Sequence, residues 1–320
     1  MVLATKNVNR VTHPGGCEIG PRPIDLHLKA LKSMGAKVQD AQRGFIYCEA
    51  DRLKGCDVQL DYPSVGATEN IMLASVFAEG ETVIRNAAKE PEILDLQNYM
   101  QATGVQVTGA GTSIIRICGG DHNLSNAEHT IITDRIVTGT YMAAAGITSG
   151  ELLLRNVIPE HMSCIISLLR ECGCRVNIKG STMQVNGPAR LRAIDIVRTL
   201  PYPGFPTDMQ AQVVALLTIA RGTSIMVETV FENRYKHVDE LLRMGANIKL
   251  EGRLAVIKGV KKLVGANVYA RDLRGGAALV LAGLAAEGET VISDIKHIDR
   301  GYDNIEEKLR RVGASIHRTL

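Results

Sequence analysis

The sequence lacks an excess of either charge: 37 lysines and arginines stand against 34 aspartates and glutamates, a formal net charge of +3 over 320 residues. That balance gives no reason to expect nucleic acid as a partner, although a local basic cluster could still hold a small anion. A long hydrophobic run is also missing. The most apolar stretch, around residues 277–286, is about half of the ~18–20 residues that a membrane helix needs, so no membrane partner is expected. The opening MVLATKNVNR has no extended apolar core of the secretory kind. Seven cysteines make an odd number, and none of them forms a CxxC pair. Cys172 and Cys174, two apart, suit one face of a strand better than a zinc knuckle. All seven read as reduced thiols of a cytoplasmic protein, with no metal site among them.

What is present is a composition of 45% hydrophobic and 22% charged residues, that of a soluble globular protein. The length allows two domains of ordinary size, each with a sizeable core. Within it, one phrase recurs: an apolar helix end, a glycine, a small residue and a strand. It appears as MGAKV at Gly35, TGVQV at Gly104, CGCRV at Gly173, MGANI at Gly245 and VGASI at Gly313. A second phrase keeps the same beat, as AEGETVI at Gly80, TSGELLL at Gly150, ARGTSIM at Gly222 and AEGETVI at Gly288. Two independent markers sharing a period of about 70 residues establish an internal repeat.

Each repeat reads as strand, helix, strand, helix, strand, strand. Its first helix is Ala-rich and apolar nearly all round (GATENIMLASVFA, 66–78; IVTGTYMAAAGI, 136–147; MQAQVVALLTIA, 209–220; RGGAALVLAGLAA, 274–286), so it is expected to be buried. The second is more amphipathic and carries proline in its first turn and glycine past its end, as in PEILDLQNYMQATG, 91–104. Two strands around a glycine-containing turn close the unit, as in VNIKGSTMQVNG, 176–187. The period is too long for a typical solenoid and too short for an ordinary domain, so several units must share cores in an α/β protein. Ahead of Gly35 there is no Ala-rich helix and no leading strand, and the chain stops one strand after Gly313, so a period is interrupted at both ends.

One segment departs from this regularity. HPGGCEIGPRPID, 13–25, packs turn formers around a single thiol. It can be neither a good strand nor a good helix, and reads as a loop.

Six blocks of residues carry a resemblance. PGGCEIGPRPID (14–25), DYPSVGATEN (61–70), PGFPTDMQAQ (203–212), ETVFENR (228–234), RDLRGGAALVLAG (271–283) and HIDRGY (297–302) are similar, in order, to those of the UDP-N-acetylglucosamine 1-carboxyvinyltransferases. The resemblance implies an inside-out α/β barrel of the enolpyruvyl transferase type, with three of the βαβαββ units of about 70 residues in each domain of a complete chain. It also implies transfer of enolpyruvate from phosphoenolpyruvate to UDP-N-acetylglucosamine with release of phosphate, the first committed step of peptidoglycan synthesis. The family works in the cytoplasm through a tetrahedral ketal without metal or cofactor. Its members begin roughly one and a half repeats earlier, so this chain is expected to be truncated at the N-terminus. Residues 1–127 would be a remnant of the cysteine-loop domain, and 128–320 a more complete second domain carrying the aspartate base. A monomer is expected. Two other readings stand beside the enzyme: a truncated, non-catalytic homologue, and the shikimate-pathway enolpyruvyl transferase, against which the cysteine loop and the Arg-Pro run argue.

The resemblance also assigns residues, each with a plainer alternative. Cys17 alone would be a small packing residue; it matches the family's loop cysteine, which protonates the methylene carbon of phosphoenolpyruvate and is alkylated by fosfomycin. Glu18 beside it disfavours the thiolate. Asp208, in FPTDMQAQ, stands where a helix N-cap belongs; it matches the base that takes the sugar hydroxyl proton. Arg22, Arg274 and Arg300 could be surface charges; they match arginines that converge on anions, a task suited to a planar, permanently charged guanidinium. Pro23, Ile24, Asp25 and Leu26 complete a uridine-binding run with Arg22. Ser64, Val65 and Gly66 form either a plain helix cap or a phosphate site on free backbone N–H groups. Val230 is a strand valine or a backbone contact to the sugar. The family often has lysine where Tyr62 stands, and its N-terminal Lys-Asn pair has no counterpart, because Lys6-Asn7 lies too close to Cys17.

Overall fold

The computed structural model describes residues 8–12, 24–41 and 45–319. The described chain falls into two compact units that divide between Ile132 and Thr133. Each is built from the repeat.

In the first unit the complete repeat runs as strand Asp57–Gln59, helix Val65–Ser75, strand Gly80–Arg85, helix Pro91–Ala102, and strands Gln106–Thr108 and Ile114–Gly119. Its sheet places the fourth strand between the second and third. The leading strand pairs parallel with the second, and the remaining pairings are antiparallel. The same order recurs in the second unit for Ile196–Arg198, Thr223–Val227, Leu254–Lys258 and Asn247–Glu251. Partial repeats keep the pattern minus the leading strand: Val8–Thr12, Phe45–Glu49 and Lys37–Ala41 in one sheet, Glu151–Arg155, Thr182–Asn186 and Arg175–Lys179 in another.

The glycine beat has a conformational cause. Gly35, Gly104, Gly173, Gly245 and Gly313 all adopt φ between +85° and +100°. Each ends a helix in the left-handed region, where a side chain would be strained and glycine is not. The second marker works alike at Gly80, Gly222 and Gly288, with φ of +90°, +122° and +89°; in the TSGE copy the left-handed residue is Ser149 instead of Gly150.

The apolar helices are buried as their pattern demands. In the second unit, Arg135–Ile147, Gln210–Leu217 and Leu273–Ala285 pack against one another, with every residue of the middle one buried. Gly139 lets them approach: a Cβ there would stand 2.9 Å from Met209 Sδ. Helices therefore lie at the centre of the second unit's core, in keeping with the inside-out α/β expectation.

Three local expectations are corrected. No strand precedes the helix Arg135–Ile147. His129 in that segment instead bonds Asp95 at 3.0 Å and rests edge-on against Tyr99, which ties the segment to the helix Pro91–Ala102 and not to a sheet edge. No strand follows Gly313 among the described residues. Its equivalents are held only by the fourth strand of their own repeat, and residues 314–319 have no such neighbour. Cys172 and Cys174 do not share a strand face: they flank the left-handed Gly173, between the helix Ser163–Glu171 and the strand Arg175–Lys179, and both are buried.

Candidate functional site

Asp208 sits on the 3-10 turn Thr207–Met209, which leads into the buried helix Gln210–Leu217. It caps nothing: neither helix start receives a side-chain hydrogen bond there. Asp134 and Asp272 show what a capping aspartate does, each accepting two backbone N–H groups at the start of its helix. The Asp208 carboxylate is instead directed to two arginines. Arg234 Nη2 lies 2.6 Å from Oδ1 and Arg274 Nη2 3.2 Å from Oδ2.

Both arginine side chains are nearly enclosed, 4% and 12% exposed, whereas that of Asp208 keeps 40% of its surface open. Burial works against the charged carboxylate, but Arg274 and Arg234 outweigh it and hold its pKa below the ordinary value. Two guanidinium groups and one carboxylate carry a net charge of +1, with the carboxylate facing the opening. Buried arginines committed to only one carboxylate have charge left for an anionic ligand. The Nε atoms of both have no partner.

Arg274 is placed by its surroundings. It stands in the first turn of the helix Leu273–Ala285, whose cap Asp272 accepts its backbone N–H. Its Nη1 donates to Tyr302 Oη at 3.1 Å. That hydroxyl, in a residue 2% exposed, also accepts from Gln212 Nε2 at 3.2 Å and lies 2.9 Å from Thr140 Oγ1. Thr140 donates to the carbonyl of Ile136, so it is the Tyr302 hydroxyl that donates to Thr140. All three apolar helices thus contribute to one buried polar hub that braces Arg274.

A second carboxylate, this one buried, lies on Glu228. Glu228 accepts from the hydroxyls of Thr199 and Thr207, each at 2.9 Å, and from the N–H groups of Val230 and Phe231. It therefore ties the residue next to Asp208 to the Val230 loop. The amide of Val230 is spent on Glu228, which leaves its carbonyl as the backbone group to meet a ligand. Arg300 follows the short helix Lys296–Asp299, two residues before Tyr302, and is exposed.

In the first unit, Asp25 and Leu26 open the helix Asp25–Ser33 after Ile24. Ser64 caps the helix Val65–Ser75, with its side chain accepting from Ala67 N at 3.3 Å and its carbonyl accepting from Thr68 N. The plain capping role is realised, and the amides of Val65 and Gly66 remain without an intrahelical partner. The two helix starts adjoin: His27 Nδ1 lies 3.0 Å from Asn70 Nδ2, and its ring covers Gly66, where a Cβ would stand 3.5 Å from it. Burial pushes the His27 pKa down. Cys17, Arg22 and Pro23 lie outside the described residues.

The geometry adds Arg234, Tyr302 and Glu228 to the residues read from sequence. All three lie in blocks that carried the resemblance, ETVFENR and HIDRGY, but no local pattern marks them as neighbours of Asp208. Among the described residues, no cluster of His, Cys, Asp and Glu could hold a metal ion, and no helix is long and apolar enough to cross a membrane.

Comparisons with known proteins identify the family. The family model of EPSP synthase (3-phosphoshikimate 1-carboxyvinyltransferase) matches residues 1–309. UDP-N-acetylglucosamine 1-carboxyvinyltransferase 1 of Caldanaerobacter subterraneus subsp. tengcongensis is 56% identical over 317 residues, covering 99% of this chain and 76% of that protein. The UDP-N-acetylglucosamine 1-carboxyvinyltransferase of Halothermothrix orenii is 54% identical over 318 residues, again 99% of this chain and 76% of that protein. Among solved structures, the enolpyruvyl transferase NikO from Streptomyces tendae superposes with a TM-score of 0.86 at 24% identity, over 99% of this chain and 75% of that one, a likeness of fold. With such relatives over nearly its whole length, the chain belongs to the UDP-N-acetylglucosamine 1-carboxyvinyltransferases, within the EPSP synthase family.

Proposed function

We propose that this chain transfers enolpyruvate from phosphoenolpyruvate to UDP-N-acetylglucosamine and releases phosphate, the first committed step of peptidoglycan synthesis. Its relatives bear the name of that reaction. The observation inside the fold that supports it most is the open carboxylate of Asp208 held between two enclosed arginines. A reaction between an anionic enol phosphate and a hydroxyl needs both an anion site and a proton acceptor, and this cluster offers both.

In this reading the sugar hydroxyl oxygen bonds to C2 of phosphoenolpyruvate while Asp208 takes its proton and Cys17 delivers a proton to the methylene carbon. The resulting tetrahedral ketal then loses a methyl proton and expels phosphate, restoring the vinyl group. Arg22, Arg274 and Arg300 hold the anionic groups, with Arg234 added from the geometry. Pro23, Ile24, Asp25 and Leu26 hold the uridine, Ser64, Val65 and Gly66 the diphosphate, and the backbone of Val230 the sugar. The chain acts as a cytoplasmic monomer.

Asp208 is a weak base while both arginines bind it, since they depress its pKa. An anionic substrate that draws their charge toward itself would restore proton affinity to the carboxylate. Base strength would then rise only once substrate is bound.

The test is phosphate release from phosphoenolpyruvate with and without UDP-N-acetylglucosamine. Release that requires the sugar nucleotide is expected. Release supported by shikimate 3-phosphate instead, or binding of sugar nucleotide with no phosphate released, overturns the reading.

A further inference from the structure

Glu228 directly follows the strand Thr223–Val227 and is 1% exposed. Its carboxylate is fully engaged. Oε1 accepts from Thr199 Oγ1 at 2.9 Å, from Val230 N at 2.7 Å and from Phe231 N at 3.2 Å, and Oε2 accepts from Thr207 Oγ1 at 2.9 Å. A group so enclosed cannot reach a substrate. What it can do is hold two pieces of backbone at one separation.

The first piece is the peptide between Val230 and Phe231. It is trans, and its N–H is directed at Glu228. In a planar trans peptide the carbonyl points opposite to the N–H. The Val230 carbonyl is therefore aimed away from Glu228, and it is the carboxylate that aims it. The preceding peptide is pinned from both sides: Glu228 takes its N–H, and Arg253 Nη1 meets its carbonyl, on Thr229, at 3.2 Å. Thr229 is also fixed to Thr199, with its N–H donating to the Thr199 hydroxyl oxygen and its own hydroxyl donating to the Thr199 carbonyl.

The second piece is the turn Thr207–Met209, which carries Asp208. Glu228 holds the first residue of that turn by its hydroxyl. Arg234, at the other end of ETVFENR, meets the Thr207 carbonyl at 3.5 Å and the Asp208 carboxylate at 2.6 Å. The segment 228–234 thus clasps the Asp208 turn from both of its own ends, with Val230 between them.

We propose that Glu228 is a positioning residue: it fixes the separation of the Val230 carbonyl from the Asp208 carboxylate, so that a sugar held by the first presents its reacting hydroxyl to the second. The inference rests on the proposed enolpyruvyl transfer, in which the Val230 backbone meets the sugar and Asp208 takes the proton. Neither oxygen of Glu228 touches substrate. Its effect runs through Thr207 on one side and through the Val230 peptide on the other, so releasing the Thr207 side alone should cost rate and spare affinity.

Thr207→Val in the full chain removes the hydroxyl on the Asp208 side and leaves the Val230 turn in place. Turnover should fall by about ten- to a hundredfold, the scale of a misplaced reacting group, while Kd for UDP-N-acetylglucosamine stays within about twofold. Thr207→Ser keeps the hydroxyl and should recover most of the loss. Glu228→Gln can keep all four contacts, with Nε2 donating to Thr207 Oγ1, and should lose less turnover than Thr207→Val. A larger loss would assign the effect to the charge of Glu228 and overturn its positioning role. Repeating Thr207→Val in an Asp208→Asn background separates positioning from general damage: there it should cost less than about twofold, because no base is left to misplace. Equal losses in both backgrounds overturn the proposal, as does a serine variant no better than valine. A parent chain without sugar-dependent phosphate release overturns the proposed reaction, and this role falls with it. An active parent whose turnover Thr207→Val leaves unchanged overturns this role alone.

Discussion

Asp208 and Arg274 stand 66 positions apart in the chain, yet their side chains meet at 3.2 Å. One comes from the turn that opens a buried helix and the other from the first turn of the next repeat's buried helix. The repeat thus brings two corresponding helix starts together, and each contributes one charge of an ion pair.

If Asp208 accepts the hydroxyl proton, Asp208→Asn should cut turnover by ~10²–10⁴, the usual loss of a general base, while sugar-nucleotide binding stays within a few fold. Steady-state kinetics with a separate binding measurement decide this. An unchanged turnover number would reduce the carboxylate to a structural counter-ion.

The same substitution tests the electrostatics. Asp208 has a lowered folded pKa, so its ion pairs stabilise the fold above the unfolded carboxylate value and that gain is lost as pH falls through the folded value. Its open side weakens the effect through solvent screening. Asp208→Asn should therefore be less stable than the parent by about 1–2 kcal/mol at pH 7, since two enclosed arginines lose their counter-charge. The gap should close in acid. Denaturant titrations that find the same gap at pH 7 and near pH 3 would show that the arginines do not hold this carboxylate.

Much of this arrangement could be read from the sequence, and the parts that could not share a cause. The glycine beat was legible because a left-handed backbone leaves glycine almost no substitute, as at Gly104 and Gly173. Asp208 was ambiguous because PTDMQ reads equally as a cap, and what distinguishes it from Asp134 and Asp272 is a pair of partners 26 and 66 residues away. Tyr302 gave no local sign of its hub, whose members Thr140 and Gln212 lie on different helices. Cys118 sits in an apolar-looking strand, but Ile115 and Ile117 face inward and leave the thiol exposed.

That exposure sharpens the expectation for thiol chemistry. Burial pushes Cys172 up to about 12 and Cys174 to about 11, so neither should react at neutral pH. Limiting alkylation of the native protein should label Cys17 first, as the loop assignment requires, with Cys118 the strongest competitor. Peptide mapping that finds Cys118 ahead of Cys17 would count against a specially reactive loop thiol.

Tyr302→Phe removes only the hydroxyl that joins Arg274, Gln212 and Thr140. Arg274 Nη1 then loses its partner in a buried place, while Gln212 Nε2 and Thr140 Oγ1 keep each other at 3.1 Å, so the change should cost about 1–3 kcal/mol of stability. With Arg274 less firmly held, KM for phosphoenolpyruvate should rise several-fold more than turnover falls. A pure turnover loss with unchanged KM would mean that the hub does not act through substrate binding.

His237, close to Arg234 and Asp272, offers a test of the pH dependence of stability. It is buried at the start of the helix His237–Arg243, and neither ring nitrogen has a partner. Burial, with Arg234 nearby and Asp272 opposing, lowers its pKa to about 4 from 6.5. Between these values the unfolded chain binds a proton that the folded chain does not, so stability rises with pH across that window and falls on acidification. A shift of this size corresponds to about 3 kcal/mol between pH 7 and pH 4, as an upper figure for one fully buried group. His237→Gln keeps much of the volume and cannot take up the proton, so its stability should decline less over the same range, even if it starts lower. Comparing the slopes of the two stability–pH curves separates titration from packing. Parallel curves between pH 6.5 and pH 4 would show that His237 does not contribute to the acid sensitivity of the fold.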